Sequence, residues 1–188
     1  MIYILRHGQT PYNYHHIFCG RSNVPLTQEG IRQAKSVADK LSDINFSEVF
    51  VSPLIRTQQT AKYALSKNSF SKEFTVDARI IERNAGLMEG EKEQRIIGVH
   101  YENDTNAQSI YDYNYDTNKA KMETLQSMQT RVFEFLDEVT SKHKGHNVLI
   151  VSHNGCIRMM RRYFGESKNE SSFAHLGIDN AQLLEYEF

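Results

Sequence analysis

The sequence predicts an α/β fold, a three-layer sandwich in which helices flank a mostly parallel central sheet. Short apolar strands alternate with amphipathic helical segments along the chain, and this alternation is typical of parallel sheets covered by helices. The segment Ile2–Leu5 is wholly apolar, as expected for a strand buried on both faces. Hydrophobic residues make up 39% of the 188 residues, which is enough to build a core and excludes general disorder. Because no repeat or linker interrupts the pattern, we expect a single domain over residues 1–188.

The first half of the chain predicts two helices and, between them, a second strand. Apolar residues at helical spacing from Ile31 to Leu41 predict a helix with Thr27 as its N-cap. Val49–Val51 predicts the second strand. Ser52 and Pro53 follow that strand directly and suit the N-cap and first position of the next helix.

The second half begins with a polar stretch and then returns to regular elements. Residues 89–121, approximately, lose the periodic pattern and predict an insertion that faces the substrate. A strand is predicted before this stretch, at Phe74–Val76. The regular elements predicted after it are a helix at Met122–Val139, the strongest strand at Val148–Val151, a helix that ends near Tyr163 and a closing strand at Leu183–Phe188.

Charge and cysteine content exclude several classes of function. The net charge is −1 and the pI is near 6.7, which argues against nucleic acid or an anionic membrane as a partner. No apolar run is long enough for a membrane helix. Cys19 and Cys156 are the only cysteines; they form neither a disulfide framework nor a zinc-ligand pattern. The N-terminus does not resemble a signal peptide. No cluster of His, Asp or Glu has convincing metal-ligand spacing either, so we expect a cytoplasmic protein with reduced thiols and no metal or cofactor.

Chemistry-bearing residues follow three of the predicted strands. Arg6 and His7 follow the first strand, Arg56 lies in the segment after the second, and His153 follows the strongest. Ligands bind at the carboxyl ends of strands in open α/β sheets, so these side chains are expected to converge. Arginine forks match phosphate oxygens, and a neutral imidazole can attack phosphorus. Glu82 is the candidate acid that protonates a departing alkoxide, so the set predicts phosphoryl transfer.

The run Leu5-Arg6-His7-Gly8-Gln9-Thr10 resembles the signature of the histidine phosphatase superfamily, in its phosphoglycerate-mutase-like branch. A triplet Arg-His-Gly alone is a weak signal, but further blocks follow in family order up to about residue 158. These are Asn13; Gly20 to Thr27 with Gly30 and Gln33-Ala34; Val51 to Ala61 around Arg56; Glu82 with Gly86 and Glu89-Gly90; and Val151-Ser152-His153-Asn154-Gly155.

The resemblance implies a phosphoglycerate-mutase-like fold and metal-free chemistry, and it assigns a role to each matched residue. His7 would be the nucleophile, Glu82 the acid and base, and His153 the second histidine of the pocket. The other implied contacts to the phosphoryl group or substrate are Arg6, Gly8, Asn13, Cys19, Gly20, Arg56 and Asn154. Glu89, seven positions after Glu82, is the rival acid. Cys19 replaces a common Gln or Thr, Asn23 a common Asp and Asn154 a frequent Gly.

Within this family the sequence favours a phosphatase over a mutase. Glycolytic mutases have a longer interval between the acid and the second histidine, and a C-terminal tail over the site. Here the interval between Glu82 and His153 is shorter, and little follows the closing strand. We expect a phosphomonoesterase that forms a phosphohistidine on a small phosphorylated metabolite. The alternatives are a phosphoglycerate mutase and a non-catalytic phosphate-binding module; oligomeric state and physiological substrate stay open.

The insertion is expected to form an acidic, aromatic wall at the pocket mouth. Between Tyr101 and Asp116 it contains four tyrosines, several acidic residues and no Lys or Arg. Such a wall would disfavour polyanionic substrates. It would favour a monophosphate with a ring or a sugar.

Overall fold

A five-stranded sheet forms the centre of the computed structural model, which describes residues 1–71, 73–92, 110–167 and 170–188. Its strands are β1 (Ile2–Arg6), β2 (Phe46–Val51), β3 (Thr75–Val76), β4 (Asn147–Ser152) and β5 (Leu183–Tyr186). They are ordered β3-β2-β4-β1-β5, and only β5 runs antiparallel to its neighbour. The predicted mostly parallel sheet is confirmed.

Helices cover both faces of this sheet. The α-helices are α1 (Pro11–Tyr14), α2 (Gln28–Ser36), α3 (Ala38–Leu41), α4 (Ile55–Ala64), α5 (Leu125–Lys142) and α6 (Asn154–Tyr163), and the 3₁₀ turns are Ala78–Ile80, Gly86–Met88 and Ala174–Leu176. On β4, Val148 and Ile150 pack with α5 and α6, whereas Leu149 and Val151 pack with α3 and α4. All four are fully buried. Each such side chain contributes about 1.5–3 kcal/mol of burial free energy, which explains why the strand is apolar on both faces.

Helix α4 begins later than the sequence predicts. Its N-cap is Leu54 and its first residue is Ile55, so the predicted N-cap role of Ser52 is wrong. The Ser52 hydroxyl lies 2.6 Å from His153 Nε2, and the Ser52 carbonyl accepts a hydrogen bond from Thr57 Oγ1 at 2.8 Å. Ser52 therefore belongs to the functional site rather than to the helix end.

Two other predicted helices differ from the structure at their boundaries. Thr27 caps α2 as predicted, because its hydroxyl accepts a hydrogen bond from the Gly30 N–H, but the helix divides at Val37. Helix α5 begins after Thr124, its N-cap. Met122 precedes the helix and packs in a separate small apolar cluster.

The predicted insertion is only partly described. Residues 93–109, including Tyr101, Glu102 and Asp104, lie outside the described residues. In the described part, Asp112 forms a β-bridge with Ser172. Tyr111 and Tyr113 pack against Phe173. Within the described ranges, no helix is both long and apolar enough to cross a membrane.

Candidate active site

The carboxyl ends of β1, β2 and β4 bring the sequence-predicted residues together. Arg6 pairs with Ser152 in the parallel register of β1 and β4, and the His7 N–H donates to the Ser152 carbonyl at 3.1 Å. The Ser52 N–H donates to the Val151 carbonyl at the same edge. Because the three strands are adjacent and parallel, the residues that follow them face one pocket.

In His7 the free lone pair of the imidazole is on Nε2. Its Nδ1 lies 2.7 Å from the Gly8 carbonyl, which can only accept, so Nδ1 carries the proton. The side chain is 4% exposed and lines the pocket. Burial, with Arg56 and Arg6 nearby, lowers the pKa of His7 well below 6.5. His7 is therefore neutral at physiological pH.

His153 lies behind His7, with 5.2 Å between the ring centroids. Arg56 Nε donates to His153 Nδ1 at 3.2 Å, so the proton is on Nε2, which donates to Ser52 Oγ at 2.6 Å. Burial, together with Arg56 and His7, lowers the pKa of His153. Both ring nitrogens are thus occupied, and the ring is fixed in one orientation.

Arg56 and Arg6 place two guanidinium groups in the pocket. Arg56 is 1% exposed, and its two terminal nitrogens donate to the Ser22 and Gly20 carbonyls at 2.7 and 2.8 Å. Arg6 donates to the Ile178 carbonyl, while its buried Nε has no hydrogen-bond partner among the described residues. Burial lowers the pKa of both groups, but arginine stays protonated at physiological pH. The unused N–H donors suit an oxyanion.

Asn13 contributes an amide whose orientation is fixed by its neighbours. Its Oδ1 accepts hydrogen bonds from the Thr10 N–H and hydroxyl, both at 3.0 Å, and from Asn180 Nδ2 at 3.4 Å. The Asn13 Nδ2 group is therefore the end available to the pocket that this residue lines.

Glu82 lines the pocket and Glu89 does not. The Glu82 oxygens accept hydrogen bonds from the N–H groups of Arg83 at 2.8 Å and Gly155 at 3.1 Å. Glu89 instead forms hydrogen bonds with backbone and side-chain groups of neighbouring loops. Its oxygens accept from the N–H groups of Arg21 and Ala85 at 2.9 and 3.1 Å, and from the Ser22 hydroxyl at 3.3 Å. The geometry favours Glu82 over Glu89 as the acid.

Among the remaining predicted contacts, Cys19, Gly20 and Asn154 line the pocket, but Gly8 does not. The Gly8 N–H donates to Thr60 Oγ1 at 3.0 Å, so it is committed within the protein. Burial raises the pKa of the Cys19 thiol, which keeps the thiol protonated.

Arg83 is a pocket residue that the sequence did not identify, whereas Tyr111 belongs to the aromatic wall that the sequence placed at the pocket mouth. Arg83 is 4% exposed; its Nε donates to the Glu123 carbonyl, and its Nη2 has no hydrogen-bond partner among the described residues. The Tyr111 ring lies 4.2 Å from the guanidinium carbon of Arg158. Adjacency to Glu82 was the one sequence signal that pointed to Arg83.

The described part of the pocket wall is cationic rather than acidic. Asp112 and Asp116 do not line the pocket, whereas Arg83 and Tyr111 do. The expectation of an acidic wall is thus wrong for the described residues. A cavity of about 100 Å³ with three arginines and one carboxylate suits a tetrahedral oxyanion. No cluster of three or more His, Cys, Asp or Glu suited to a metal ion occurs in the described ranges.

Comparisons with known proteins agree with this geometry. A family model of the histidine phosphatase superfamily (branch 1) matches residues 2–188. The chain is 27% identical over 159 residues to the "Probable phosphoglycerate mutase GpmB" of Enterobacter sp. (strain 638), a match that covers 83% of this chain and 72% of that protein.

Solved structures with the same fold include mutases and phosphatases. Phosphoglycerate mutase from Bacillus anthracis str. Sterne superposes with a TM-score of 0.77 at 24% identity, over 97% of this chain and 85% of that one. Mycobacterial glucosyl-3-phosphoglycerate phosphatase gives a TM-score of 0.77 at 21% identity, over 97% and 87%. These similarities confirm the phosphoglycerate-mutase-like fold.

Proposed function

The chain belongs to the histidine phosphatase superfamily, whose members are phosphatases or mutases, and we propose that it is a metal-independent phosphomonoesterase that acts through a phosphohistidine. The substrate we propose is a small phosphorylated metabolite. The observation that carries the proposal is the arrangement of His7, whose Nδ1 is bound to the Gly8 carbonyl while burial keeps the ring neutral.

In the first step His7 Nε2 attacks phosphorus, and the bond from phosphorus to the ester oxygen breaks. Glu82 gives its proton to the departing oxygen, because an alkoxide is a poor leaving group. Arg6, Arg56 and the Asn13 amide bind the phosphoryl oxygens and stabilise the charge on them. His153, whose orientation is fixed by Ser52 and Arg56, lies behind the nucleophile and does not itself line the pocket.

In the second step a water molecule attacks phosphorus, and the bond from phosphorus to His7 Nε2 breaks. Glu82, now ionised, accepts the proton of the water and returns to the acid form. His7 returns to the neutral imidazole, and inorganic phosphate leaves. Each group thus ends the cycle in its starting state, and no metal is required.

The first prediction is that the phosphoryl group is trapped on His7. Rapid quenching without acid, followed by mass spectrometry, should detect phosphohistidine at this position during turnover of p-nitrophenyl phosphate. His7→Ala should abolish both the adduct and turnover, since the other candidate nucleophile that lines the pocket, the Cys19 thiol, is kept protonated by burial and a thiol is a far weaker nucleophile than a thiolate. Turnover that persists in His7→Ala would disprove the assignment.

A mutase is the second candidate, favoured by the 27% identical relative named as a mutase. In a mutase the phosphohistidine donates its phosphoryl group to a second hydroxyl instead of to water. The short interval between Glu82 and His153 supports hydrolysis. We expect phosphate release to exceed the interconversion of 3- and 2-phosphoglycerate, with or without bisphosphoglycerate; the reverse ratio would favour the mutase.

A non-catalytic phosphate-binding module is the third candidate. It is disfavoured because nucleophile, acid and both arginines lie together in one pocket. Turnover of p-nitrophenyl phosphate in EDTA distinguishes the two. Absence of turnover on a panel of monophosphates, with retained binding of inorganic phosphate, would favour the binding module.

A further inference from the structure

The segment that carries Glu82, residues 79–84, is held by side chains from other elements. It is called the acid loop below. Four consecutive carbonyl groups of this loop accept hydrogen bonds from these side chains. The side chains thereby satisfy backbone acceptors that are not paired within a sheet or helix. These bonds run from Arg131 Nη1 to Arg79 O (2.6 Å) and Ile81 O (2.7 Å), from Ser152 Oγ to Ile80 O (2.8 Å), from Cys156 Sγ to Ile81 O (2.9 Å) and from Arg21 Nε to Glu82 O (3.0 Å).

Arg131 of α5 is itself fixed by Glu123. Its Nε and Nη2 donate to the two carboxylate oxygens of Glu123 at 2.7 and 2.9 Å. The side chains are only 16% and 10% exposed. Burial alone would raise the pKa of Glu123, but the hydrogen bonds from Arg131 lower it, so the carboxylate stays charged. A paired, two-point contact of this kind is rigid.

The same carboxylate also reaches the far end of the acid loop. Glu123 Oε2 accepts from the Asn84 N–H and from Arg21 Nη2, both at 3.2 Å, and the Glu123 N–H donates to the Asn84 carbonyl at 2.9 Å. The pair of Arg131 and Glu123 therefore binds the loop on both sides of Glu82.

We infer that Arg131, fixed by Glu123, is a positioning residue for the general acid Glu82. The inference rests on the proposed function, in which Glu82 protonates the leaving group. Arg131 does not line the pocket and contacts no reacting atom. Its effect is exerted through the backbone on either side of Glu82, where a displacement of about 1 Å can cost on the order of 10²-fold in rate.

Substitution Arg131→Met tests the inference with two substrates of different leaving group. The acid matters for a sugar phosphate, whose alkoxide needs a proton, and matters little for p-nitrophenyl phosphate. We expect kcat/KM for the sugar phosphate to fall about 10- to 100-fold more than kcat/KM for p-nitrophenyl phosphate. A purely structural loss would lower both by the same factor.

Glu82→Gln supplies the second arm of the experiment. In the Glu82→Gln background, Arg131→Met should cause no further change in the ratio of the two kcat/KM values, because the group it positions is already gone. An equal loss on both substrates, or a full additional change of the ratio in the double variant, would overturn the inference. If Glu82→Gln alone leaves the ratio unchanged, the acid assignment in the proposed function fails instead.

Arg161→Met is the matched control. Arg161 is 20% exposed, pairs with Glu166 and donates to the Leu176 carbonyl at 3.0 Å, away from the acid loop. The Arg161→Met variant should have a lower melting temperature but an unchanged ratio of kcat/KM for the sugar phosphate to kcat/KM for p-nitrophenyl phosphate. If Arg131→Met does not fold, Glu123→Gln replaces it. That variant keeps the shape of the side chain but weakens its hold on Arg131, and a wild-type ratio in it would also overturn the inference.

Discussion

Arg83 lines the pocket and carries a buried hydrogen-bond donor that no described residue satisfies. Two features distinguish it from the other guanidinium groups of the pocket: it follows Glu82 directly, and its Nε is anchored to the Glu123 carbonyl. Its buried Nη2 has no partner among the described residues, as is also true of the buried Nε of Arg6. A buried donor left without a partner costs about 1–3 kcal/mol. A ligand oxygen at this position would recover that cost.

Arg83→Met is therefore expected to weaken binding of substrates that carry a second anionic group. A hydrogen bond to a charged group contributes about 1.5–3 kcal/mol, so kcat/KM for a phosphorylated hydroxy acid should fall about 10- to 150-fold. The effect on p-nitrophenyl phosphate should stay within about threefold, because this substrate has no second anion for Arg83 to bind. The measurement is kcat/KM on the two substrates; equal losses would show that Arg83 binds the phosphoryl group itself.

The two candidate site histidines were predictable because each follows a short apolar strand. His7 and His153 were identified in this way, and the structure places them side by side. Arg83 was not, since its importance depends on which of its donors the rest of the fold leaves unpaired. Ser52 was misassigned for a related reason. Its hydroxyl suits an N-cap locally, but the contact with His153, about a hundred positions away, takes precedence.

Helix α2 packs against the loop after β1 at unusually close range. A Cβ at Gly30 would lie 2.1 Å from the Gln9 carbonyl oxygen, and a Cβ at Gly8 would lie 2.4 Å from the Gly30 carbonyl oxygen. Both contacts would be to backbone oxygens, which cannot move away by a change of rotamer as a side chain can. The loop that presents His7 is therefore fixed by the helix through two glycines.

Gly30→Ala should destabilise the protein, although alanine is the better helix former. Helix propensity would favour alanine by roughly 0.5–1 kcal/mol. Overpacking against the Gln9 carbonyl should cost about 1–3 kcal/mol and outweigh that gain. Urea unfolding measures the net loss, with exposed Ser36→Ala in the same helix as the control, expected within about 0.5 kcal/mol of wild type. A more stable Gly30→Ala variant would contradict the expectation.

The fold as a whole was predictable because apolar residues recur at different spacings in helices and in strands, and the chain alternates between these two patterns. Strand order was not, because nothing in the local pattern of Ile2–Arg6 specifies that β1 lies between β4 and β5. The boundary between α2 and α3 at Val37 was also missed, since apolar residues continue through it at helical spacing.

Global stability should depend on pH through the two buried histidines. Their pKa values in the folded protein are lowered, chiefly by burial, whereas a histidine in the unfolded chain titrates near about 6.5. Below that pH the unfolded chain binds protons that the folded chain does not. The free energy of unfolding is thus undiminished above about pH 6.5 and falls as the pH falls, by up to about 1.4 kcal/mol per unit for each histidine.

Urea unfolding at pH 7, 6 and 5 measures this slope. His7→Asn should make the slope shallower by up to about 1.4 kcal/mol per pH unit. Ser36→Ala changes an exposed residue that does not titrate, and should leave the slope as in wild type. Identical slopes in all three proteins would show that His7 binds a proton equally well folded and unfolded.

The position of β1 between β4 and β5 has a consequence for the order of folding. Its partners β4 and β5 lie more than 140 residues further along the chain, so β1 has no neighbour in the sheet until the second half of the chain is present. Pairings between distant segments form slowly. His7, which follows β1, therefore reaches His153 only after that pairing. Recovery of catalytic activity should accordingly be among the latest events of refolding, and it reports on completion of the whole sheet.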